Sequence, residues 1–196
     1  MKDEKATKVK TPVFRVSFPA VFSPKENNMG GEPKFSITML FDKNDAAVMK
    51  GLEAMKAAVR AAVVEKWGAD KAKWPKGLRL PFRDGTEKDY DGYGPNVIFC
   101  SATSKMRPQL FDQNVQPIME PSEFYGGCYA MASLNAYAYD VSGNRGVAFG
   151  LRGVQKVKDG EAFGVGGSVE KDFAPVDGGA VESSKAEEVT GDPLGL

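Results

Sequence analysis

A stretch of strict alternation near the end of the chain most limits the folds that are possible. Between residues 128 and 139 small apolar residues alternate with polar and aromatic ones. A period of two places successive side chains on opposite faces of a strand. Residues 142–144, Ser-Gly-Asn, then supply a turn into a second apolar run at 147–157. The chain therefore contains a long β-hairpin with one buried face.

Three earlier segments also show strand patterns. Residues 13–22 place Phe14, Val16, Phe18, Ala20 and Phe22 on one face, and residues 35–41 alternate in the same way. The Asn- and Gly-rich segment 25–34 between them predicts a long hairpin loop, and residues 97–103 predict a further strand. The sequence thus favours a mainly β protein.

One amphipathic helix is predicted between the second and third strands. Asp42, Asn44 and Asp45 offer N-cap side chains, and Gly68 ends the pattern. Apolar residues recur at spacings of three and four, which forms a core-facing stripe. The members of this stripe are Val48, Leu52, Met55, Val59, Val63 and Trp67.

Together these elements predict an antiparallel five-stranded barrel of the OB type, with a flat sandwich as the other possibility. We expect residues 1–163 to form one domain and residues 164–196 to form a disordered acidic tail. The tail holds seven acidic and two basic residues, a net charge of −5, although the whole chain is neutral. The domain is therefore basic and attracts polyanions. The acidic tail either competes with polyanions for this basic surface or serves only as a solubilising end.

Composition removes several classes of function. The chain has no histidine, which excludes the commonest general base, Ser-His and Cys-His nucleophiles, and most zinc sites. No phosphate-binding loop is present, so no cofactor is expected. Cys100 and Cys128 lie in apolar runs and are expected to be buried thiols. Without a signal peptide or a membrane span, we expect a cytoplasmic, non-enzymatic protein.

Basic and aromatic residues interleave in the irregular segment 68–95, a composition that suits single-stranded nucleic acid. Lysine and arginine would contact phosphates, and aromatic rings would stack on bases, although core packing remains the alternative for each ring. The predicted phosphate contacts are Lys73, Arg79, Arg83, Lys105, Arg107, Arg152 and Lys156. The predicted stacking residues are Trp74, Phe82, Tyr90, Tyr129, Tyr137 and Tyr139.

Two other classes of function stay open. A metal-dependent nuclease would use the acidic run Asp84, Glu87, Asp89 and Asp91 as ligands. This run does not match a calcium-loop pattern, and Lys88 and Tyr90 within it suggest a solvated loop. A virion structural or assembly protein could use the same β-rich barrel without binding DNA.

Five stretches resemble bacteriophage single-stranded DNA-binding proteins. They are FRVSFP at 14–19, KFSITMLF at 34–41, LPFRDG at 80–85, EFYGGCY at 123–129 and the run at 144–151. The resemblance implies an OB fold that binds single strands without strong sequence preference during phage replication or recombination in the bacterial host. It also implies an acidic tail that competes with DNA and contacts replication proteins.

The end of the tail departs from the versions of this family that finish in an aromatic residue. Asp192, Leu194 and Leu196 would serve as the partner-binding end in its place. The expected partners are single-stranded DNA and replication or recombination proteins, with the chain a monomer or small homo-oligomer.

Overall fold

The computed structural model describes residues 6–26 and 31–164. Within them lie eight strands, one α-helix and three short 3-10 turns at 71–73, 85–87 and 121–123. The strands are β1 (Lys8–Lys10), β2 (Phe14–Lys25), β3 (Lys34–Asp42), β4 (Arg83–Asp84), β5 (Val97–Ser104), β6 (Gln109–Phe111), β7 (Tyr129–Val141) and β8 (Asn144–Lys158). The helix α1 spans Ala46–Trp67.

Five of these strands close into a ring in the order β2, β3, β5, β8, β7 and back to β2. Every pairing in the ring is antiparallel except that between β5 and β8, which run parallel and close the barrel. The predicted OB-type barrel is confirmed. The short strands β1, β4 and β6 add to its edges.

The helix was predicted correctly at both ends. The Asp45 carboxylate accepts hydrogen bonds from the backbone N–H of Ala47 at 2.8 Å and of Val48 at 3.2 Å. Gly68 ends the helix with a φ of +86°, a conformation that favours glycine. The buried residues of the apolar stripe belong to the same hydrophobic core as Phe14 and Val16 of β2 and Ile37 of β3.

The β7–β8 hairpin also follows the predicted pattern. Ser142 and Gly143 form a two-residue turn with φ values of +50° and +81°, as a type I′ turn requires. Ala130, Ala132 and Leu134 are buried, whereas Tyr137 is 43 % exposed. The alternation therefore directs the small residues inward and the tyrosine face outward.

The predicted phase of β2 is wrong at Phe18, although Ala20 is buried as predicted. Phe18 has a φ of +44° and its side chain is 57 % exposed, although the period of two placed it in the core. The pairing with β3 shifts register between Ser17 and Ala20, which marks a β-bulge. Val21 consequently lies in the core, and Phe22 is only partly buried.

Cys100 and Cys128 are free thiols in the core, as predicted. Burial raises the pKa of both thiols. In the part of the chain that the structure describes, no helix is both long and apolar enough to cross a membrane.

Candidate nucleic-acid interface

Small hydroxyl residues cover the outer face of β3 and β5. Ser36 pairs with Thr103 across the two strands, and Thr38 pairs with Ser101. The hydroxyl oxygens of Thr38 and Ser101 lie 2.9 Å apart and share a hydrogen bond. We call these four residues the hydroxyl floor. Their side chains are too short to obstruct a ligand, and they offer polar groups to one that lies across the strands.

A run of four aromatic rings borders one end of the hydroxyl floor. Phe18 packs edge-on against Tyr90 at 5.1 Å between ring centroids, Tyr90 against Tyr93 at 5.8 Å, and Tyr93 against Phe99 at 5.2 Å. Exposure increases along this aromatic ladder, since Phe99 is 5 % exposed and Tyr90 is 54 % exposed. Its outer end therefore offers ring surface to solvent while its inner end is fixed in the barrel.

Two contacts hold the inner half of the aromatic ladder. The hydroxyl oxygens of Ser17 and Tyr93 lie 3.3 Å apart, and burial raises the pKa of the Tyr93 phenol. The Arg83 guanidinium lies 5.1 Å from the centroid of Phe99 and donates to the Glu87 carboxylate, with its Nε 2.8 Å from Oε2. Arg83 thus lies beside the inner end of the ladder.

Backbone hydrogen bonds hold Arg79 at the end of the barrel where the aromatic ladder lies. Its N–H donates to the Arg145 carbonyl at 3.0 Å, and its carbonyl accepts from Val147 N–H at 2.9 Å. A Cβ on Gly146 would lie 2.4 Å from the Arg79 carbonyl oxygen, so this approach requires glycine. The exposed Arg79 side chain is consequently held near the β7–β8 turn.

Further cations lie at the opposite end of the hydroxyl floor. Lys105 follows β5 and pairs with Glu32, while the Arg107 guanidinium lies 5.6 Å from the centroid of the Phe22 ring. Lys25 and Lys34 pair with each other across the β2–β3 hairpin. The floor therefore runs between an aromatic end and a basic end, an arrangement that matches bases and phosphates.

Other predicted residues have different surroundings. The Trp74 ring packs partly against the core and its Nε1 donates to the Gly68 carbonyl at 2.8 Å. Phe82 contacts buried Phe149 edge-on at 5.8 Å. Both contacts support structural roles, and base stacking by these two rings stays a prediction. Lys73 is exposed in a 3-10 turn.

Lys156 differs from the other predicted phosphate contacts because its side chain is only 14 % exposed. Its Nζ lies 2.7 Å from the Asp159 carboxylate, donates to the Glu123 carbonyl at 2.7 Å and lies 5.2 Å from the Tyr125 ring centroid. These contacts already use its charge, so a phosphate role for Lys156 would require them to break.

The segment after β8 docks against a second aromatic and basic group. The Arg15 guanidinium lies 4.2 Å from the Phe163 centroid and 5.8 Å from the Tyr129 centroid, and Lys158 covers Tyr129 at 4.6 Å. Arg15 also donates to the Glu161 carbonyl at 2.8 Å. Tyr129 is therefore covered by cations on its outer side.

The docked segment ends beside the aromatic ladder. Phe163 N–H donates to the Gly126 carbonyl at 2.8 Å, and Gly164 N–H donates to the Asp91 carboxylate at 3.1 Å. Gly164 is the last described residue, and Asp91 lies between Tyr90 and Tyr93 of the ladder. The predicted tail residues Asp192, Leu194 and Leu196 lie outside the described residues.

The acidic run that could have held a metal serves local structure. The Lys43 ammonium lies 2.6 Å from the Asp84 carboxylate and holds the pKa of that carboxyl well below its usual range. Arg83 similarly lowers the pKa of Glu87. Among the described residues, no group of three or more Cys, Asp or Glu side chains has an arrangement that could hold a metal ion.

Comparison with known proteins identifies the family. Residues 7–189 match the family model described as Enterobacter phage Enc34, ssDNA-binding protein. The chain belongs to this family. A relative in Acyrthosiphon pisum secondary endosymbiont phage 1, putative protein p50, is 36 % identical over 167 residues, which cover 82 % of this chain and 88 % of the relative.

Two solved structures share the fold. The single-stranded DNA-binding protein of bacteriophage Enc34, in complex with ssDNA, has a TM-score of 0.67 at 24 % identity and covers 82 % of this chain and 91 % of its own. The gp2.5 single-stranded DNA-binding protein of bacteriophage T7 has a TM-score of 0.54 at 14 % identity and covers 79 % and 93 %. Membership in a family of DNA-binding proteins agrees with the predicted absence of enzymatic activity.

Sequence reasoning missed several residues of this candidate interface, among them Arg15, Phe18, Tyr93, Phe99 and the hydroxyl floor. The alternation over residues 13–22 placed Phe18 in the core, and Phe99 fell within the strand predicted at 97–103. Arg15 carried no predicted role. The motif that contains Arg15 and Phe18, FRVSFP, was available in the sequence. An aromatic residue directly before a proline in an otherwise regular strand was the signal for a bulge at this point.

Proposed function

We propose that this protein coats single-stranded DNA without strong sequence preference during phage DNA replication or recombination. The observation that carries the proposal is the hydroxyl floor, which runs from the exposed end of the aromatic ladder to the cations after β5. Strands two and three of an OB barrel, here β3 and β5, are the face on which OB folds bind oligonucleotides. Family membership supports the same ligand.

Base stacking and phosphate neutralisation would both contribute to binding along this face, through different residues. Every base offers a π-face, so stacking on Phe18 and Tyr90 would tolerate any sequence. Arg83, Lys105 and Arg107 would neutralise phosphates, which makes binding dependent on salt. The ion pairs of Arg83 and Lys105 are solvent-exposed and weak, so phosphates can replace their carboxylate partners.

The acidic tail would regulate access to this face and recruit replication or recombination proteins through Asp192, Leu194 and Leu196. The anchoring of Gly164 by Asp91 supports this role, because the tail begins beside the aromatic ladder. The domain of residues 1–163 and the tail of residues 164–196 would then act as one binding unit. The site of action would be the cytoplasm of the bacterial host, with the protein a monomer or small homo-oligomer.

A fluorescence titration with oligo-dT tests the proposal. We expect tight binding at low salt, with a log–log salt slope of about −0.7 for each phosphate neutralised. Replacing both Arg83 and Lys105 with alanine should make the slope less negative by about 1.4 if each contacts one phosphate. Absence of binding at low salt would contradict the proposal, and so would Mg²⁺-dependent cutting of the oligonucleotide.

A further inference from the structure

We propose that the single-stranded DNA site continues past β5, across β8 and β7, to a basic patch on the far side of the β7–β8 hairpin. The basic patch consists of Lys8, Lys10, Lys66 and Arg152. This inference rests on the proposed function, because it extends the same bound strand. Arg152 on β8 and Tyr137 on β7 lie outside the β3–β5 face, and the proposal places both of them along the bound strand.

The register of the sheet makes the path continuous. Ser36 pairs with Thr103, Thr103 with Gly150, Gly150 with Asn135, and Asn135 with Lys8. Paired residues of neighbouring strands share a face of the sheet. The adjacent residues Ala102, Phe149 and Leu134 are buried, so this row faces outward. One outward row therefore joins the hydroxyl floor to the basic patch.

No large side chain projects outward from β8 where the path crosses this strand. Its outward positions at the crossing are Ala148 and Gly150. The space beside Gly150 is bounded by Tyr137, whose Cε1 would lie 3.9 Å from a Cβ at that position. Tyr137 is 43 % exposed, so its ring borders the path with free surface. A base on β8 could therefore stack against this ring while the backbone lies close to the sheet.

Arg152 lies where the path ends. Its side chain is exposed and lines two surface depressions of about 640 Å³ and about 390 Å³. Lys8 and Lys66 line the first depression together with the acidic Glu65, and Lys10 lines the second. Four cations and one carboxylate therefore border the two depressions, and this excess of positive charge suits phosphate binding.

The length of the path agrees with the ligand. Four interstrand steps separate β3 from β1 along the row, which at about 4.8 Å per step gives roughly 19 Å. Single OB folds cover about 4 to 16 nucleotides, so a short oligonucleotide fills the hydroxyl floor and only a longer one reaches Arg152. Binding should therefore depend on oligonucleotide length in a way that identifies the patch.

The test measures affinity of the full chain for oligo-dT of about 4 to 16 nucleotides, the range of OB site sizes. One variant combines Lys10→Ala with Arg152→Ala, and a second, Gly150→Leu, places a bulky side chain on the path without a change in charge. Gly150 is outside the positive-φ region and its Cβ would make only ordinary contacts, so the second variant should fold. A matched control combines Lys50→Ala with Arg60→Ala, two exposed cations of α1.

We expect both path variants to bind the longest oligonucleotide roughly tenfold more weakly and the shortest with unchanged affinity. For the longest oligonucleotide, the double alanine variant should also have a log–log salt slope that is less negative by about 1.4. A loss equal at all lengths, or equal in the α1 control, would overturn the inference, as would unchanged binding of long strands. Failure of the wild type to bind even short strands would instead contradict the proposed function.

Discussion

Phe18 packs edge-on against Tyr90, with 5.1 Å between their ring centroids and 77° between their planes. The contact joins the bulge of β2 to the loop before β5, two segments far apart in sequence. Phe18 is 57 % exposed and Tyr90 is 54 % exposed. Two aromatic rings that are half exposed to solvent gain less free energy from burial than a pair in the core. Exposed apolar rings of this kind often mark a ligand-binding surface.

Removing either exposed ring should weaken DNA binding. For Phe18→Ala and for Tyr90→Ala we expect a loss of about 1–3 kcal/mol in binding free energy, because each ring would lose a stacked base. Titration of oligo-dT at fixed salt measures this loss. Met119→Ala, at an exposed apolar side chain outside the site, is the control and should bind as the wild type does. Wild-type affinity in both aromatic variants would show that DNA passes elsewhere.

Glycine should be tolerated better than alanine at position 18. Both substitutions remove the ring, but only alanine retains a Cβ in the left-handed region at a φ of +44°. We expect Phe18→Gly to have a free energy of unfolding about 1 kcal/mol higher than Phe18→Ala. Urea denaturation of the two variants provides the measurement. Equal stability, or the reverse order, would mean that the bulge relaxes when the ring is absent.

Gly92→Ala should displace Phe163 from its position over Arg15. Gly92 has a φ of +82°, and a Cβ there would lie 2.3 Å from Phe163 Cζ. We expect the variant to lose about 1–3 kcal/mol of folding free energy. In a Phe163→Ala background the same substitution should cost less, because only the backbone strain remains. A double-mutant cycle with no coupling between positions 92 and 163 would refute this contact.

Deletion of residues 165–196 should raise the affinity for oligo-dT at low salt. The deletion removes the whole side-chain charge of −5 that we expect to compete with phosphates, and it retains the docked Gly164. The gain should shrink as added salt screens the tail. A full-length variant with the tail carboxylates changed to amides should behave like the deletion. If affinity at low salt is the same in all three proteins, the tail does not compete with DNA.

Local patterns predicted the elements whose neighbours are close in sequence. The helix and its caps at Asp45 and Gly68 follow from spacing, and the β7–β8 hairpin follows from alternation and turn chemistry. The three edge strands β1, β4 and β6 are two or three residues long, too short to show a period. They exist because longer strands supply their partners, which a local reading of sequence cannot detect.

The candidate site was predicted only in part for a similar reason. Tyr90 and Arg83 were identified from composition, and both lie at the aromatic ladder. Trp74 has the same composition around it, yet it packs against the core. Phe18 reached the surface through a bulge that changed the phase of its strand. Which ring of a basic and aromatic segment remains exposed depends on tertiary packing, which composition does not encode.

The parallel pairing of β5 with β8 has a consequence for how the chain is made. β8 is the last strand of the described residues, and it pairs with β5, β6 and β7. Until it leaves the ribosome, those strands have open edges and the ring cannot close. We therefore expect folding to be completed after synthesis of residue 158, in one cooperative step that is slow for a domain of this size because its contacts are distant in sequence. Nascent chains shorter than this would be sensitive to proteases and prone to pair with one another.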